Sequence, residues 1–565
     1  MYDLKQYLPT TRKEMQLLGW DEADVILFSG DAYIDHPACG AAVIGRVLEN
    51  AGYRVAIVPQ PDWRGDYRDF TKLGRPRLFF GVTAGAMDSM VNHYTAARRK
   101  RSDDAFSPNG EAGHRPDYCT VTYCKILREV FGDVPIVIGG IEASMRRLAH
   151  YDYWSDRLMP SILADSRADL LVYGMGEQAM VEIARRGIQH DIPQTAYMTD
   201  NNMLAADGDD NVIVLHSYEE ELKDKRKHAE DFRLIETESN KQVAKRLVQR
   251  TGNKMVVVNP PYPALTQDAL DQIYDLPYQY LPHPKYKDKR IPAYEMIRFS
   301  VCIHRGCFGG CAFCTISTHQ GKQIVSRSKD SILRQIDKLR QLPEWKGYLS
   351  DLGGPSANMY GIEGKDKAIC ARCTRASCLQ PTICKNLNRD FSQLLDLYHT
   401  VDALPYIKKS FVGSGIRYDL MNEEYGKELI TKHVSGRLKV APEHTSDEVV
   451  RLMRKPSWDV YLRFRDFFYR VNKECGLRQQ LIPYFISSHP GCTDKDMRQL
   501  ADETKRMGYR PEQVQDFTPT PMTLSTTMFY TGLNPYTMQP VYVAKSEKDK
   551  KRQNSYFFWW KKREH

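Results

Sequence analysis

Seven of the thirteen cysteines in this chain fall between positions 307 and 384, in two tight groups, and nothing else in the sequence limits its fold and chemistry as strongly. Cysteines crowded in this way speak for metal ligation; a disulfide framework would spread them along the chain. The first group, CFGGCAFC, sets Cys307, Cys311 and Cys314 within eight residues on a glycine-rich loop, directly after the apolar stretch IRFSVCIH. A cubane iron–sulfur cluster has four irons and normally takes four cysteines, so three thiolates leave one iron open to a non-protein ligand. Catalytic zinc sites keep an open position by the same logic. A structural site would instead recruit a fourth protein ligand. Cys302 and His304 are near enough in sequence, but they lie on the strand that enters the loop. The second group, Cys370, Cys373, Cys378 and Cys384, reads C-x2-C-x4-C-x5-C in a segment rich in Arg and Lys. Four thiolates make a closed site, which either a structural zinc or an auxiliary iron–sulfur cluster fits.

Around these groups, short apolar runs alternate with helical patterns. DVILFSG, RVAIVPQ, RLFFGV, VPIVIGG and DLLVYGMG are expected strands over residues 24–176. Between the first two, a helix carries Ile44, Val47, Leu48 and Ala51 on one stripe and is closed by Gly52; another helix lies around Cys124 to Phe131. The fold class expected here is α/β, with an N-terminal doubly wound parallel sheet over residues 1–190. Residues 191–290 are more polar and read as a connecting region with one buried strand, MVVVNPP; the charged stretch EEELKDKRKHAEDF reads as a solvated helix face. A second alternating series over 291–535 (IRFSVCIH, GYLSDLGG, KKSFVGSG, RLKVAPEH, QQLIPYFISS, VQDFTP) suggests a partial (β/α) barrel with a Cys-rich insertion at 365–388. Its chemistry belongs at the strand C-terminal ends. Helices are expected from Asp330/Ser331, with Ile332, Ile336 and Leu339 on one face, and after Thr445, where Glu448 completes a capping box.

The C-x3-C-x2-C spacing, with Phe313 before the last cysteine, resembles the signature of the radical S-adenosylmethionine (SAM) superfamily. More widely, GGIEASMRRLAHYDYWSD, LPHPKY, RGCFGGCAFC and LKVAPEHTSDEVVRLMRKP resemble the YgiQ family of that superfamily, almost end to end. The resemblance implies a [4Fe–4S] cluster on Cys307, Cys311 and Cys314, SAM on the open iron, and reductive cleavage of SAM to a 5'-deoxyadenosyl radical. It implies an external electron donor such as flavodoxin or ferredoxin, and an enzyme of unassigned reaction and substrate, one form of which is a transferase modifying RNA or protein. DLGGPS resembles the superfamily's Gly-Gly motif, with Gly353 and Gly354 at the methionine amino group. GSGIRYD places Ser414 and Arg417 towards SAM, unless Arg417 simply pairs with Asp419. A doubly wound domain before such a barrel is similar to cobalamin-binding members. The cobalt-ligating Asp-x-His-x-x-Gly is nevertheless not matched, because Asp35 directly precedes His36 and Gly40 lies four residues on, so cobalamin is not expected. GGIEAS and YGMGEQ supply glycine turns suited to phosphate or nucleotide-like ligands, or plain strand exits.

The formal charge is +9, of which +5 sits in the last 25 residues, including Lys562 and Arg563. The near-neutral remainder gives little electrostatic case for gripping nucleic acid. Residues 536–565 are expected as a flexible basic tail, with Phe557, Phe558, Trp559 and Trp560 stacking on bases or, more in keeping with base rates, plugging the protein's own surface. No apolar run is long enough for a membrane helix and the first residues lack the apolar core of a signal peptide, so a cytoplasmic location is expected. The competing reading from another class is a non-catalytic metal-bound adaptor with a nucleic-acid-binding tail.

Overall fold

A computed structural model describes residues 3–200 and 210–561. The chain divides into two compact units, Met1–Asp224 with Gln242–Arg298, and Lys225–Lys241 with Phe299–His565.

The first unit is built on a nine-stranded sheet of β1 (Val25–Ser29), β2 (Val55–Pro59), β3 (Phe79–Thr83), β4 (Ile136–Gly139), β5 (Leu170–Val172), β6 (Thr195–Asp200), β7 (Val212–Val214), β8 (Arg246–Thr251) and β9 (Lys254–Val258), in the order β7-β8-β9-β6-β5-β4-β3-β1-β2. β1 to β5 are mutually parallel, and every residue of β1 and β2 is buried. Burial on both faces is why these strands read as continuous apolar runs. Their order puts the topological switch point between β1 and β3. β6, β9 and β8 then continue the sheet antiparallel. The stretch 191–290, expected as a connecting region, thus supplies four strands of this sheet. Helices α1 (Gly40–Asn50), α2 (Cys119–Phe131) and α3 (Glu177–Arg186) belong to the same unit. On α1 the buried face is Ala42, Val43, Gly45, Arg46 and Leu48, rotated from the expected stripe because Arg46 turns inward to the buried Asp35 carboxylate.

The second unit begins with α4 (Lys225–Ser239), the expected solvated charged stretch, which instead buries Phe232 and Ile235. Phe232 forms a core cluster with Ala312 of the cysteine loop and with Leu524 and Met528. Glu236 on the next turn takes both guanidinium nitrogens of Arg454, at 2.7 and 2.8 Å. Glu236→Ala is expected to cost about 2 kcal/mol by leaving Arg454 without its charged partner. Urea unfolding midpoints check this, and an unchanged midpoint refutes it.

The barrel strands are β10 (Ser300–Cys302), β11 (Tyr348–Leu349), β12 (Asp351–Gly353), β13 (Lys409–Ser410), β14 (Arg437–Glu443), β15 (Gln480–Ser487) and β16 (Gln513–Asp516). All paired strands among them run parallel: β10 with β12, β11 with β13, and β14-β15-β16. Between them lie α5 (Lys329–Leu339), α6 (Ser392–Asp402), α7 (Trp458–Glu474) and α8 (Asp494–Arg506), the alternation of an open (β/α) barrel. On α5, Ile332, Ile336 and Leu339 are buried as their spacing implies, and Ser328 caps the helix. The capping box expected at Thr445 and Glu448 does not form. The next helix starts after Ser446, whose hydroxyl donates to Asp496 at 2.7 Å, a partner fifty residues away.

After α9 (Leu524–Thr531), α10 (Glu547–Ser555) occupies the expected flexible tail. Gln553 is buried, accepting from Ser488 N–H and donating to Cys492 O, while Phe557 is wholly buried and Trp559 donates to Thr504 Oγ1 at 3.1 Å. The aromatic group therefore packs on its own unit. Lys562, Arg563 and Glu564, part of the tail's charge, lie outside the described residues.

Candidate functional site

The cysteine loop leaves β10 through a short antiparallel pair, His304–Arg305 with Val325–Ser326. Gly306 has φ +87°, and a Cβ there would lie 1.9 Å from Gln323 O, so only glycine fits the turn into the loop. Backbone bonds pin the loop from several sides: Cys307 N–H donates to Gly321 O, Ala312 N–H to Met453 O, Ser525 N–H to Ala312 O and Cys314 N–H to Cys311 O. Burial pushes the Cys307 thiol up, and Cys314, for the same reason and because Cys311 adjoins it, up to about 12. Nearby cationic charge favours the thiolate form that binds metal. Arg417 supplies one cation, its Nη1 standing 3.6 Å from Cys311 Sγ. The buried Lys455, ion-paired with Glu443 at 3.4 Å, adds a second that acts on both Cys307 and Cys314. Three thiols on one loop with two nearby cations suit a cubane cluster.

Gly353 ends β12 and Gly354 follows it. A Cβ on Gly353 would meet Ser414 Oγ at 2.5 Å and Asp351 Oδ1 at 2.7 Å; one on Gly354 would meet the His304 ring at 2.5 Å. The two glycines, Ser414 and Arg417 are thus brought to the same strand ends as the cysteines, though each polar group also has a protein partner. Ser414 Oγ donates to the Asp351 carboxylate, which also accepts from the Gly413 and Ser414 N–H groups. Arg417 is forked onto Asp419, with bonds of 2.8 and 2.6 Å. Burial alone would raise the Asp419 carboxyl, yet the Arg417 charge holds it below the usual range. His304 is fully buried, neither ring nitrogen has a hydrogen-bond partner among the described residues, and burial lowers its pKa to about 3. Cys302 turns away, its thiol donating to His304 O, so no fourth cysteine joins the first group from this strand.

Comparison with known proteins agrees with these motifs. The Radical SAM N-terminal family matches residues 7–300, the Radical SAM superfamily 301–504, and a domain of unknown function, DUF3362, 512–564. A UPF0313 protein of Bacteroides thetaiotaomicron is 58% identical over 98% of this chain and 94% of its own length. One from Porphyromonas gingivalis is 57% identical over 100% and 92%. The chain belongs to the UPF0313 family. A third UPF0313 protein, from Methanocella arvoryzae, is 50% identical over 96% and 91%. Among solved structures, a radical S-adenosylmethionine methyltransferase, TsrM, from Kitasatospora setae, with cobalamin and a [4Fe-4S] cluster bound, aligns at a TM-score of 0.48 and 14% identity, over 89% of this chain and 77% of that one. So loose a likeness transfers no ligand to this UPF0313 protein.

Several groups at the site were not singled out from sequence. Lys455, Glu443 and Asp351 are in this group, although the motif LKVAPEH was a signal for Glu443; Asp419 was named as the possible partner of Arg417, and the structure forms that pair. A cleft lined by Cys311, Cys314, Phe232, Glu236, Arg454 and Thr523 opens beside the cysteine loop within the second unit. Cys492 is buried with its thiol 3.6 Å from His444 Nε2, and burial raises its pKa.

In the first unit the ends of β1 and β3 are filled by the chain itself. Arg115, fully buried, bonds Asp31 and Asp104 at 2.9 and 3.0 Å and donates to Ala84 O at 2.6 Å. His36 is a buried turn residue whose Nδ1 accepts from Ala38 N–H, with its ring edge-on to Tyr280. At GGIEAS the Glu142 carboxylate already accepts from Ser89 and Thr120 N–H. At YGMGEQ, Gly174 N–H is taken by Ser144 Oγ. A buried carboxylate at the first turn opposes a phosphate there, so these glycines are read as strand exits. No helix among the described residues is long and apolar enough to cross a membrane.

Proposed function

We propose that this UPF0313 protein is a radical SAM enzyme holding a [4Fe–4S] cluster on Cys307, Cys311 and Cys314, in keeping with its resemblance to the YgiQ family. Gly353, Gly354, Ser414 and Arg417 line the SAM side, and a flavodoxin or ferredoxin supplies the electron. When bound, the cluster and SAM together supply the 5'-deoxyadenosyl radical that abstracts hydrogen from an unassigned substrate. The observation that carries this reading is the three-thiol loop at the C-terminal ends of parallel strands, with the Arg417 guanidinium 3.6 Å from Cys311 Sγ. The chain's own part is to bind, orient and keep out water. Gly353 and Gly354 let a ligand approach the backbone, Asp351 fixes the Ser414 hydroxyl, and Arg417 and Lys455 offset thiolate charge. The neutral, unpartnered His304 ring behind Gly354 offers one donor and one acceptor.

The test is anaerobic reconstitution with iron and sulfide, reduction by dithionite with SAM present, and chromatography for 5'-deoxyadenosine. Product from wild type and none from Cys311→Ala is expected. No product from a fully loaded, reduced wild type sinks the proposal and favours a metal-bound adaptor.

A further inference from the structure

The four-cysteine insertion lies against the loop that bears the first three cysteines. Cys378 N–H donates to Phe308 O at 3.0 Å, and Ser377 Oγ donates to Gly309 O at 2.7 Å. Gly310, at φ +59°, approaches so closely that a Cβ would lie 2.0 Å from Ala376 O. One hydrogen bond therefore joins the backbone of Cys378 to that of Phe308, the residue after Cys307.

Within the insertion backbone bonds fold the run back on itself, Cys384 N–H donating to Cys378 O at 2.7 Å and Cys373 N–H to Cys370 O at 3.2 Å. Asn386 Nδ2 donates to Cys370 Sγ at 3.3 Å, and the buried Lys322 places its ammonium on the carbonyls of Cys373 and Arg375. Structural zinc sites typically draw two short-spaced ligand pairs from separated turns. Here four cysteines follow in one unbroken run of fifteen residues, enough thiolates for a four-iron cluster, and the run is bonded to the loop that bears the first three cysteines. Hydrogen bonds to sulfur, as from Asn386, are one of the levers that set such a cluster's potential. Around the run, Lys365, Lys367, Arg372, Lys385 and Arg389 are exposed, against Glu363, Asp366 and Asp390, and Ile369 is 59% exposed among them. A cationic face around an apolar residue suits an anionic protein that docks briefly.

Resting on the radical SAM reading above, we propose that Cys370, Cys373, Cys378 and Cys384 hold a second iron–sulfur cluster, and that this basic face receives an acidic, low-potential electron-transfer protein. One electron leaves the reduced donor, enters the second cluster and passes across the Cys378–Phe308 contact to the first. The donor ends oxidised by one electron and the first cluster reduced by one; no bond or proton is exchanged. Zinc, being redox-silent, could not serve.

The test uses the full chain, reconstituted anaerobically. Wild type should carry about eight irons and no zinc. Cys373→Ser/Cys384→Ser should fall to about four irons, and the ratio of 5'-deoxyadenosine formed with reduced flavodoxin to that formed with dithionite should drop roughly tenfold or more. Lys365→Glu/Lys367→Glu/Lys385→Glu should keep its iron, show a similar fall in that ratio, and lose most of the salt dependence of the flavodoxin reaction. About four irons and one zinc in wild type, or an unchanged ratio in both variants, overturns the inference. Wild type that yields product with dithionite while carrying zinc sinks this inference alone; fully loaded wild type that yields none sinks the radical SAM reading.

Discussion

Acidification from pH 7 to pH 5 is expected to strip stability from the barrel unit steeply, because buried histidines in it, His304, His444 and His489 among them, are held neutral. Burial depresses His304 and His489 to about 3, and His444 to about 4 against a partial offset from Asp496. In the unfolded chain the same side chains titrate near 6.5. The unfolded state therefore takes up protons first, and stability from these groups is complete above about pH 6.5 and lost as pH falls towards the folded values. Each contributes about 1.4 kcal/mol per pH unit once the unfolded chain is protonated, so the three together give about 4 kcal/mol per unit near pH 5. Anaerobic urea midpoints at pH 7.5, 6.5 and 5.5, with iron release recorded alongside, should show this slope. His444→Gln/His489→Gln should lower it by about 3 kcal/mol per pH unit, since those rings contact Cys492, Ser525 and Phe517 and only His444 feels a carboxylate, that of Asp496. An equal slope in variant and wild type refutes the account.

The sequence was most legible where chemistry is local. Three thiolates within eight residues are a property of spacing, and strands buried on both faces, such as Val25–Ser29 and Val55–Pro59, advertise themselves as apolar runs. It was least legible where distant partners decide. α4 looks solvated because its buried side mixes Ala229, Phe232 and Ile235 with the polar His228, Asp231 and Glu238, while its charged Glu236 is matched by Arg454 more than two hundred residues on. β8 and β9 extend the sheet antiparallel, β7 adds parallel to β8, and all three are only partly buried, so their patterns blend into polar surroundings. The cap expected at Thr445 fails because the helix starts one residue later, after Ser446, whose hydroxyl is taken by Asp496 fifty residues on. Of the candidate site, Cys307, Cys311, Cys314, Gly353, Gly354, Ser414 and Arg417 are brought to neighbouring strand ends. The groups that set their electrostatics, Asp351, Asp419 and Lys455, come from β12, the turn after β13 and the turn before α7.

Arg417→Met is expected to cost about 3–5 kcal/mol, because the deeply buried Asp419 carboxylate is left without its fork partner. Arg417→Met/Asp419→Leu removes both charges and should recover most of that loss. The two variants separate what Arg417 does for the fold from what it does for the site. The folded double variant still lacks the cation beside Cys311 Sγ, so its reconstituted cluster should be harder to reduce, with a potential more negative than that of wild type. A double variant with wild-type potential makes Arg417 a partner of Asp419 and nothing more. A single variant that loses only the ~1 kcal/mol of an exposed pair would mean that water reaches Asp419. In that case Arg417 is free to leave Asp419 and turn to a bound ligand, and its effect should appear in SAM binding rather than in unfolding.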